Sequence, residues 1–410
     1  DEELQSYFIQ QIDIYLTNKG KKLIGWDEIL EGGLSPNATV MSWRGMKGGI
    51  QAAKENHDVI MCPGTHCYFD HYQSSHVKEP LAIGGYTSLE KVYNFNPIPT
   101  SLTPEEGKHI LGAQGNLWTE YMPNENHLLY MTYPRAIALS EVNWSGNSDK
   151  NYIGFLERLK EHAKWFKSNK IPFSLAYLDL NYKTKSNPKG VEFYFVKPNK
   201  KGSVLIERES PDEGIVQDNS SQDTFILNKT INFSAWFRDE DNTLGRPLRL
   251  NFIHHLAAGK KIRFLQQPSE KYFSGESGNL VNGFKAPQNK FSGEEWVGME
   301  GRDFEAIIEF DSIQEFQSIG FQFFSSESSW IYFPSEIHLY TSNDGNNFKS
   351  LHQEKINAEM KKCLEPEIIL KEKANARYLK IMVKNHGEIG ETFPGAGHKA
   401  WLFVGEISVL

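Results

Sequence analysis

The sequence predicts an α/β region of about 180 residues followed by all-β domains, and three observations lead to this prediction. Up to about residue 180, helical patterns alternate with short apolar runs, which is typical of βα units that build a parallel sheet. The polar residues 181–190 follow, and they indicate a linker with turn chemistry. Beyond them, short strand patterns alternate with Gly and Asp turns, which favours β-sandwich domains.

The first region begins with a predicted helix, because Leu4, Phe8, Ile12 and Leu16 recur at helical spacing and Gly20 follows them. Short apolar runs predict strands at residues 22–26, 38–43, 58–62 and 110–118. Further helical patterns occupy residues 48–56, 125–139 and 152–168. In a β/α barrel the chemistry lies where each strand ends, so the residues that end these runs are the first candidates for a site.

The second region is rich in β patterns. Strands are expected at residues 191–196, 202–206, 230–236, 304–310, 337–341 and 377–383. With roughly 150 residues per domain, a chain of 410 residues has room for two to three domains.

The composition excludes several classes of protein. Forty-four basic against fifty-two acidic residues give a net charge of −8, which argues against a nucleic acid partner, because phosphate binding needs a basic face. No run approaches ~18 apolar residues, so no membrane-spanning helix is expected. Three cysteines cannot form a disulfide framework; buried thiols are expected, with a Cys62–Cys67 bridge as the alternative. The histidines lack a zinc spacing, and we expect neither a metal nor a cofactor.

Six residues at the ends of the predicted strands have the chemistry of a sugar-binding site. A sugar ring has apolar C–H faces and polar rims, so its sites combine aromatic walls with carboxylates and hydroxyls. The first region offers this mixture in Trp26, Trp43, Tyr68, Asp70, Trp118 and Glu120. Any single tryptophan fits a buried core equally well, but aromatic residues at four separate strand ends favour one shared site.

Four segments, in this order, resemble the C-terminal half of glycoside hydrolase family 20, the β-N-acetylhexosaminidases. They are Lys22-Leu-Ile-Gly-Trp-Asp-Glu28, Val40-Met-Ser-Trp-Arg44, Cys67-Tyr-Phe-Asp70 and Gln114-Gly-Asn-Leu-Trp-Thr-Glu120. The resemblance covers about residues 1–178. It implies that residues 1–180 are the C-terminal half of a (β/α)8 TIM barrel, carrying strands five to eight.

The resemblance implies a retaining hydrolysis in which the substrate's own 2-acetamido group is the nucleophile. Trp26, Trp43 and Trp118 match the family's apolar box around that group. Tyr68 matches the catalytic tyrosine whose hydroxyl donates to the acetamido oxygen. Asp70 and Glu120 match residues that bind the outer hydroxyls of the terminal sugar, which favours exo-cleavage. The family's further tryptophan is absent between Trp43 and Trp118, and Tyr86 is the candidate substitute.

The family's general acid is missing from this sequence. It belongs to an Asp-Glu pair preceded by a His-x-Gly-Gly motif, and no such sequence occurs here. We interpret Asp1-Glu2 as a loop beyond that pair, and Asp27-Glu28 as structural residues that hydrogen-bond within the strand-to-helix loop. The acid pair is therefore expected upstream, and strands one to four are expected on a longer parent chain, a nicked N-terminal piece or a partner copy, because half a barrel leaves open sheet edges and an unfilled interior.

The rest of the chain is expected to form two modules. Residues 181–253 suit the small β-rich domain that follows the barrel in many family members. Residues 254–410 resemble a discoidin-like (coagulation factor type C) module, a jelly-roll β-sandwich akin to carbohydrate-binding modules. The resemblance rests on Leu256–Ile262, Leu280–Gly283, Leu339–Gly345 and Ala376–Ile381. Trp296, Trp330 and Trp401 are candidates to line its ligand site, with a core position the preferred interpretation of Trp401.

Two functions remain open at this stage. The first is an exo-acting β-N-acetylhexosaminidase whose substrate is a glycan with a terminal N-acetyl-hexosamine. The second is a non-catalytic carbohydrate-binding or adhesive protein that uses the barrel as a platform. In either case an extracytoplasmic location is expected, in the periplasm or on a bacterial surface, because polymeric amino sugars are met outside the cytoplasm.

Overall fold

The computed structural model describes residues 2–74, 76, 78–145, 150–199, 201–210, 214–218, 224–273, 275, 277–288, 291, 295–357 and 361–410. The chain forms two compact units, Asp1–Asp179 and Leu180–Leu410. The boundary falls beside the polar stretch where the sequence changes from alternating helix and strand to β patterns.

The first unit alternates helices and strands along the chain, as the sequence predicts. Its helices are α1 (Glu2–Asn18), α2 (Lys47–Lys54), α3 (Leu89–Tyr93), α4 (Pro104–Gly107), α5 (Glu125–Thr132), α6 (Arg135–Ser145) and α7 (Tyr152–Ser168). Its strands are β1 (Ile24–Trp26), β2 (Thr39–Ser42), β3 (Val59–Met61) and β4 (Ile110–Ala113). Turns of 3₁₀-helix cover Asp27–Leu30 and Ala176–Leu178.

The four strands form a parallel sheet in the order β1-β2-β3-β4. Parallel strands that are neighbours in chain order have crossovers of one hand, so their connections lie on one face of the sheet. Val40, Val59 and Met61 point to that face and are fully buried in a core with Ala52 of α2 and Phe155 of α7. The α/β prediction is therefore confirmed. The strand order is the one that four consecutive strands have in a β/α barrel.

The other face of this sheet is apolar and partly open. Side chains alternate along a strand, so Ile24 and Leu111 point away from the buried core, and they are 53% and 61% exposed. Helix α1 adds exposed Leu4 and Phe8 on one stretch of its surface. The helices of the core therefore cover one face of the sheet, and apolar side chains on the other face remain accessible.

Two sequence predictions in this unit are wrong in detail. The helix predicted over residues 125–139 is divided into α5 and α6, because Pro134 has no N–H for the helical ladder. The strand predicted over residues 110–118 ends at Ala113, so Trp118 lies in the loop beyond β4 and not at its last position.

The second unit is all-β apart from short 3₁₀ turns among its described residues. Its first strands are β5 (Asn181–Asn187), β6 (Gly190–Val196), β7 (Ser203–Ser210), β8 (Gly214–Asp218), β9 (Thr224–Leu227), β10 (Ile231–Arg238) and β11 (Leu248–Phe252). They are followed by β12 (Lys261–Phe264), β13 (Val297–Glu300), β14 (Phe304–Gly320), β15 (Phe323–Phe324), β16 (Glu336–Ser342) and β17 (Lys349–Lys355). The last are β18 (Cys363–Leu364), β19 (Glu367–Lys384), β20 (Trp401–Val404) and β21 (Ser408–Val409).

Antiparallel pairing joins these strands into four sheets. The earlier part has the sheets β5-β6-β9 and β11-β10-β7-β8. The later part has β12-β14-β19-β16-β17, with β21 on β14, and a second sheet β13-β20-β15-β18. Ile308 of β14 and Leu402 of β20 are both fully buried in one core, which the two later sheets share as the layers of a sandwich.

The predicted linker at residues 181–190 is instead a hairpin. β5 pairs with β6 from Asn181↔Val196 to Asn187↔Gly190, so only Pro188 and Lys189 form the turn. Tyr182 stacks on Phe193, while the exposed lysines of β5 face outward. The polar composition is that of a strand with one solvent-facing side, which is hard to distinguish from a loop by composition alone.

Trp296 does not line a surface site. It is 1% exposed and its Nε1 donates to the carbonyl of Pro287 at 3.0 Å, so it is a core residue. Trp401 is half-buried and packs edge-on against Tyr272 at 5.2 Å, in agreement with the preferred core interpretation. Of these three tryptophans, Trp330 is the one with a substantially exposed surface, 38% of the residue.

Candidate functional site

The predicted site residues lie at or beyond the carboxyl ends of the four parallel strands. Trp26 ends β1, Trp43 follows β2 directly, and Tyr68 lies in the loop after β3. Trp118 lies in the loop after β4. The backbone of Tyr68 forms a parallel bridge with Asn116, which holds the last two loops side by side. Because the strands are parallel, all of these residues meet at one edge of the sheet.

The aromatic rings at this edge are in contact in pairs. The rings of Trp26 and Trp118 are 5.9 Å apart between centroids, tilted by 46°. The rings of Trp43 and Tyr68 are 6.3 Å apart, tilted by 31°. Burial raises the pKa of the Tyr68 phenol, and the Trp118 side chain, which donates toward the phenol oxygen, partly offsets this effect. The structure therefore brings three indoles and one phenol together, as the sequence predicts.

Glu28 holds the Trp43 ring. The indole Nε1 donates to both carboxylate oxygens of Glu28, at 3.0 Å each. Asp27 is 2% exposed and accepts from the Nε of Arg44 at 2.8 Å. Both acids are structural, as expected, but their partners follow β2 and do not lie within their own loop. The two carboxylates tie the end of β1 to the end of β2.

Asp70 is a buried acceptor without a full set of partners. It is 4% exposed, and its Oδ1 is buried with no hydrogen-bond partner among the described residues. Burial raises the pKa of the Asp70 carboxyl, the nearby Glu120 adds to this effect, and Arg135 opposes it. A buried carboxylate oxygen left unpaired is costly unless a ligand group donates to it.

Trp118 and Glu120 form the open side of the site. Trp118 is 44% exposed and Glu120 is also exposed, with its charge acting on Asp70. Trp118 and Glu120 are thus the exposed members of the candidate site.

Arg135 is a contributor that sequence reasoning missed. It is fully buried at the start of α6, and it donates to the carbonyls of Phe69, His71, Thr87 and Met131. Its guanidinium also lies 5.0 Å from the Phe69 ring centre. The first two carbonyls flank Asp70, so this one cation fixes the backbone that carries the buried carboxylate and follows Tyr68.

A signal for Arg135 was available in the sequence. Arg135, Ala138, Leu139 and Val142 are the buried residues of α6 and follow the spacing of one helical face. An arginine on an apolar stripe has to find several acceptors, so it marks a buried polar network rather than a solvated surface.

Tyr86 lies in a loop that touches the site indirectly. Its backbone bridges to Tyr72, and the preceding Gly85 has φ +64° with its Cα against the His71 ring. The His71 ring in turn is 5.5 Å from that of Tyr68. The Tyr86 side chain is 49% exposed, and its role as a substitute for the family's tryptophan stays a prediction.

Three further observations concern the described residues alone. They contain no group of three or more His, Cys, Asp or Glu side chains placed to hold a metal ion. Cys62 and Cys67 are both buried free thiols, and burial raises the pKa of the Cys62 thiol to about 12. No helix in this part of the chain combines the length and apolar character needed to cross a bilayer.

Comparison with known proteins finds similarity to one family in part of the first unit. Residues 1–147 match the family model described as Glycosyl hydrolase family 20, catalytic domain. This agrees with the family that the four sequence segments resemble.

Individual relatives are similar over the same part of the chain. A β-hexosaminidase of Porphyromonas gingivalis is 53% identical over 160 residues, which are 39% of this chain and 21% of that protein. A β-hexosaminidase of Vibrio furnissii is 34% identical over 143 residues, 34% of this chain and 23% of the relative. The chain therefore spans less than a quarter of the length of these two relatives. A solved exo β-N-acetylglucosaminidase of Vibrio harveyi in complex with N-acetylglucosamine is 28% identical, with 43% of this chain and 28% of that chain covered and a TM-score of 0.39.

Proposed function

We propose that the first unit belongs to an exo-acting β-N-acetylhexosaminidase that removes a terminal N-acetyl-hexosamine by substrate-assisted, retaining hydrolysis. The observation that carries this proposal is the aromatic cluster at the sheet edge beside a buried carboxylate, Asp70, whose Oδ1 has no hydrogen-bond partner among the described residues. An apolar box suits the methyl group of an acetamide, and Asp70 suits a sugar hydroxyl. The family match over residues 1–147 supports the same reaction class.

In the proposed reaction the acetamido oxygen attacks the anomeric carbon, the bond to the leaving oxygen breaks, and an oxazolinium ion forms. Trp26, Trp43 and Trp118 hold the acetamido group near the reacting carbon. This fixed geometry lowers the barrier, because the two reacting groups do not have to find each other first. The Tyr68 hydroxyl donates to the acetamido oxygen. A tyrosine phenol is protonated at neutral pH, and burial raises the pKa of Tyr68 further, so the hydroxyl is available as a donor.

Asp70 and Glu120 bind the outer rim of the sugar in this proposal. The unpaired Oδ1 of Asp70 accepts from a sugar hydroxyl, which satisfies a buried atom that otherwise has no partner. Glu120, at the open side, takes a second hydroxyl. Fixing the outer hydroxyls of one ring leaves no room for a preceding sugar, and cleavage then releases the terminal residue alone.

A second half-barrel completes the site in this proposal. The sheet face with Ile24 and Leu111, and the α1 surface with Leu4 and Phe8, are apolar and more than half exposed. Four further β/α units would bury these surfaces and close the sheet, which removes its open edges. That half would carry the Asp-Glu pair, whose Glu protonates the leaving oxygen and then accepts a proton from the attacking water.

The test is hydrolysis of 4-nitrophenyl N-acetyl-β-D-glucosaminide by the completed barrel. We expect activity, and we expect Tyr68→Phe to lower kcat by about 10²-fold, as removal of one charge-stabilising donor does. Tyr194→Phe, in the second unit, is the matched control and should leave kcat unchanged. Equal kcat for Tyr68→Phe and the control would overturn the mechanism.

A non-catalytic sugar-binding or adhesive platform is the alternative function. It predicts that the completed barrel binds N-acetylglucosamine but releases no nitrophenol. Activity in the same assay therefore separates the two functions.

For residues 254–410 we propose a discoidin-like jelly-roll module that binds neutral sugars through a loop at the end of the sandwich. Trp330 has φ +60°, and its ring stacks on the His398 ring with the two centroids 4.5 Å apart. Phe393, two residues before Gly395 in the sequence, is 45% exposed. A non-glycine residue held at positive φ is often found at a ligand-binding site. Trp330→Ala should abolish retention on immobilised neutral glycans, while Trp165→Ala, an exposed tryptophan of the first unit, should not; equal retention would reject this role.

We also propose an extracytoplasmic location, in the periplasm or on the cell surface. Its support is the pairing of a glycosidase-like unit with β modules, which suits a polymeric substrate outside the cytoplasm. Immunodetection in cell fractions tests this, and a cytoplasmic pool alone would reject it.

A further inference from the structure

The second unit contains a cleft of about 410 Å³ that neither the barrel chemistry nor the Trp330 loop uses. It lies between β5, the 3₁₀ turn Ser277–Val281, and the outer face of β12, β14 and β19. Its volume falls within the range of small-ligand sites, about 300–1,000 Å³.

The floor of the cleft is cationic. Ile262 and Ile308 are buried in the sandwich core, so their neighbours Lys261 and Arg263 on β12 point outward, on the same face of the strand. Two residues apart on a strand, they are spaced by roughly 6.6 Å. Among the described residues neither side chain forms an ion pair, which leaves two cationic groups beside each other on a chain whose net charge is −8.

The other charged groups at the cleft have contacts of their own. Lys185 on β5 lies with its ammonium 5.5 Å from the Tyr194 ring centre and adds a third cation to the lining. Lys260 pairs with Asp311 at 2.6 Å. Glu309, which lies directly across from Lys261 in the register, pairs with Arg377 at 3.3 Å and accepts from the Tyr378 hydroxyl at 3.3 Å. The negative charge of Glu309 is thus partly neutralised by Arg377, which does not line the cleft. The lining therefore keeps a net positive charge.

The cleft also has a polar side, formed by β5 and by residues in and just after the 3₁₀ turn. Asn279 and Asn282 are 6% and 4% exposed, and the Nδ2 of Asn282 donates to the Thr184 hydroxyl at 3.1 Å. The Thr184 hydroxyl donates in turn to Asn279 at 3.4 Å. Ser186 and Ser277 add hydroxyls to the lining. Fixed hydroxyls and amides match the hydroxyl rim of a sugar, whereas two adjacent cations match an acidic substituent.

We propose that this cleft binds an acidic oligosaccharide, with Lys261 and Arg263 on its sulfate or carboxylate group and the Thr184 side on its hydroxyls. The site differs from the proposed neutral-sugar loop in residues and in ligand charge, and it does not depend on the proposed hydrolysis. It would let the second unit hold a glycan that carries acidic sugars while the terminal residue is processed elsewhere.

The test is isothermal titration calorimetry of the whole 410-residue chain with three oligosaccharides of equal length: sulfated, uronate-bearing and neutral. We expect the double variant Lys261→Gln, Arg263→Gln to weaken binding of at least one acidic probe by tenfold or more. The matched control Lys371→Gln, Lys373→Gln removes two cations at the same strand spacing on β19 and should change affinity by less than twofold. Trp330→Ala should likewise leave binding of the acidic probe unchanged.

Three results would overturn the proposal. The first is equal loss of affinity in the double variant and its β19 control, which would mean that only net charge matters. The second is equal affinity for neutral and acidic probes. The third is competition by inorganic sulfate at the same concentration as the sulfated oligosaccharide, which would mean that the sugar contributes nothing. Circular dichroism of both double variants checks that each retains the wild-type fold.

Discussion

At the residue scale, the site depends on carboxylates that do not themselves face a substrate. Glu28 accepts the Trp43 indole N–H with both oxygens, and Asp27 accepts from Arg44. An Asp-Glu pair beside a box tryptophan invites assignment as an acid pair, but in this geometry both carboxylates are engaged in fixing the next strand end.

Substitution of Glu28 separates these two interpretations. In the completed barrel, Glu28→Gln keeps one acceptor oxygen for Trp43, so we expect kcat within about threefold of wild type. Glu28→Ala frees the indole and should raise KM more than it lowers kcat, because the box then holds the acetamido group less well. If Glu28 were the general acid, Glu28→Gln would instead lower kcat by about 10²–10⁴-fold.

His71 gives the first unit a pH-dependent stability. Burial lowers the pKa of His71 to about 4, and the Arg135 cation adds to the effect. In the unfolded chain the imidazole has a pKa of about 6.5 and takes up a proton that the folded unit accepts only near pH 4. The contribution is present above pH 6.5 and is lost as the pH falls toward 4.

Urea unfolding of the chain between pH 7 and pH 4 measures this contribution. We expect the free energy of unfolding of the first unit to fall with acidification, and His71→Gln to make that fall smaller. His352→Gln, at a half-buried position of the second unit where the imidazole lies 3.3 Å from Glu354, is the control. The same pH dependence in wild type and His71→Gln would contradict the assignment.

At the element scale, α6 and the loop after β3 act together through Arg135. The helix supplies one buried cation, and the loop supplies backbone carbonyls that would otherwise lie unpaired in the core. Buried carbonyls without donors cost about 1–3 kcal/mol each, so this contact orders the segment that carries Asp70.

Arg135→Met should therefore lower the free energy of unfolding by about 3 kcal/mol or more. Arg158→Met is the matched control, since Arg158 is exposed and pairs with Glu141 on the surface, where loss of a pair costs about 1 kcal/mol or less. Urea denaturation of both variants makes the comparison. Equal destabilisation would show that the carbonyl contacts of Arg135 contribute little.

How far the sequence predicts these elements depends on where the decisive contacts lie. Helix α7 was predictable to the residue, because a helical pattern and its Asn151 cap are local. Strand β5 was not predictable. Its alternation of Tyr182 and Thr184 with lysines indicates a strand only when β6 and the sandwich cover one of its two sides. The network of Arg135 joins positions up to 66 residues apart, and local patterns do not contain it.

The grouping of the six candidate residues could be expected from the sequence, because each ends or follows a strand of one parallel sheet. Their proposed roles come from the resemblance, and the contacts of Trp43 with Glu28 come from the structure alone. The missing hydrogen-bond partner of Asp70 Oδ1 could not be predicted from the sequence, because it depends on the groups that surround the carboxylate in the fold.

At the scale of the whole molecule, the first unit exposes apolar surface that a closed barrel would bury. Ile24, Leu111 and the α1 residues Leu4 and Phe8 are each more than half exposed. The chain should therefore bind the dye 8-anilinonaphthalene-1-sulfonate strongly, and co-expression with the completing half-barrel should remove most of that fluorescence. Unchanged fluorescence in the co-expressed complex would contradict the proposed closure.

The central claim is that the acetamido group of the substrate acts as nucleophile inside the aromatic box. Its most direct test is the kcat/KM of the completed barrel on aryl glycosides whose N-acetyl group carries zero, one, two or three fluorine atoms. Fluorine withdraws electrons from the carbonyl oxygen, so the account predicts a steady fall in kcat/KM along the series. A kcat/KM that does not change with fluorine number would mean that a protein carboxylate attacks the sugar, and would contradict the account.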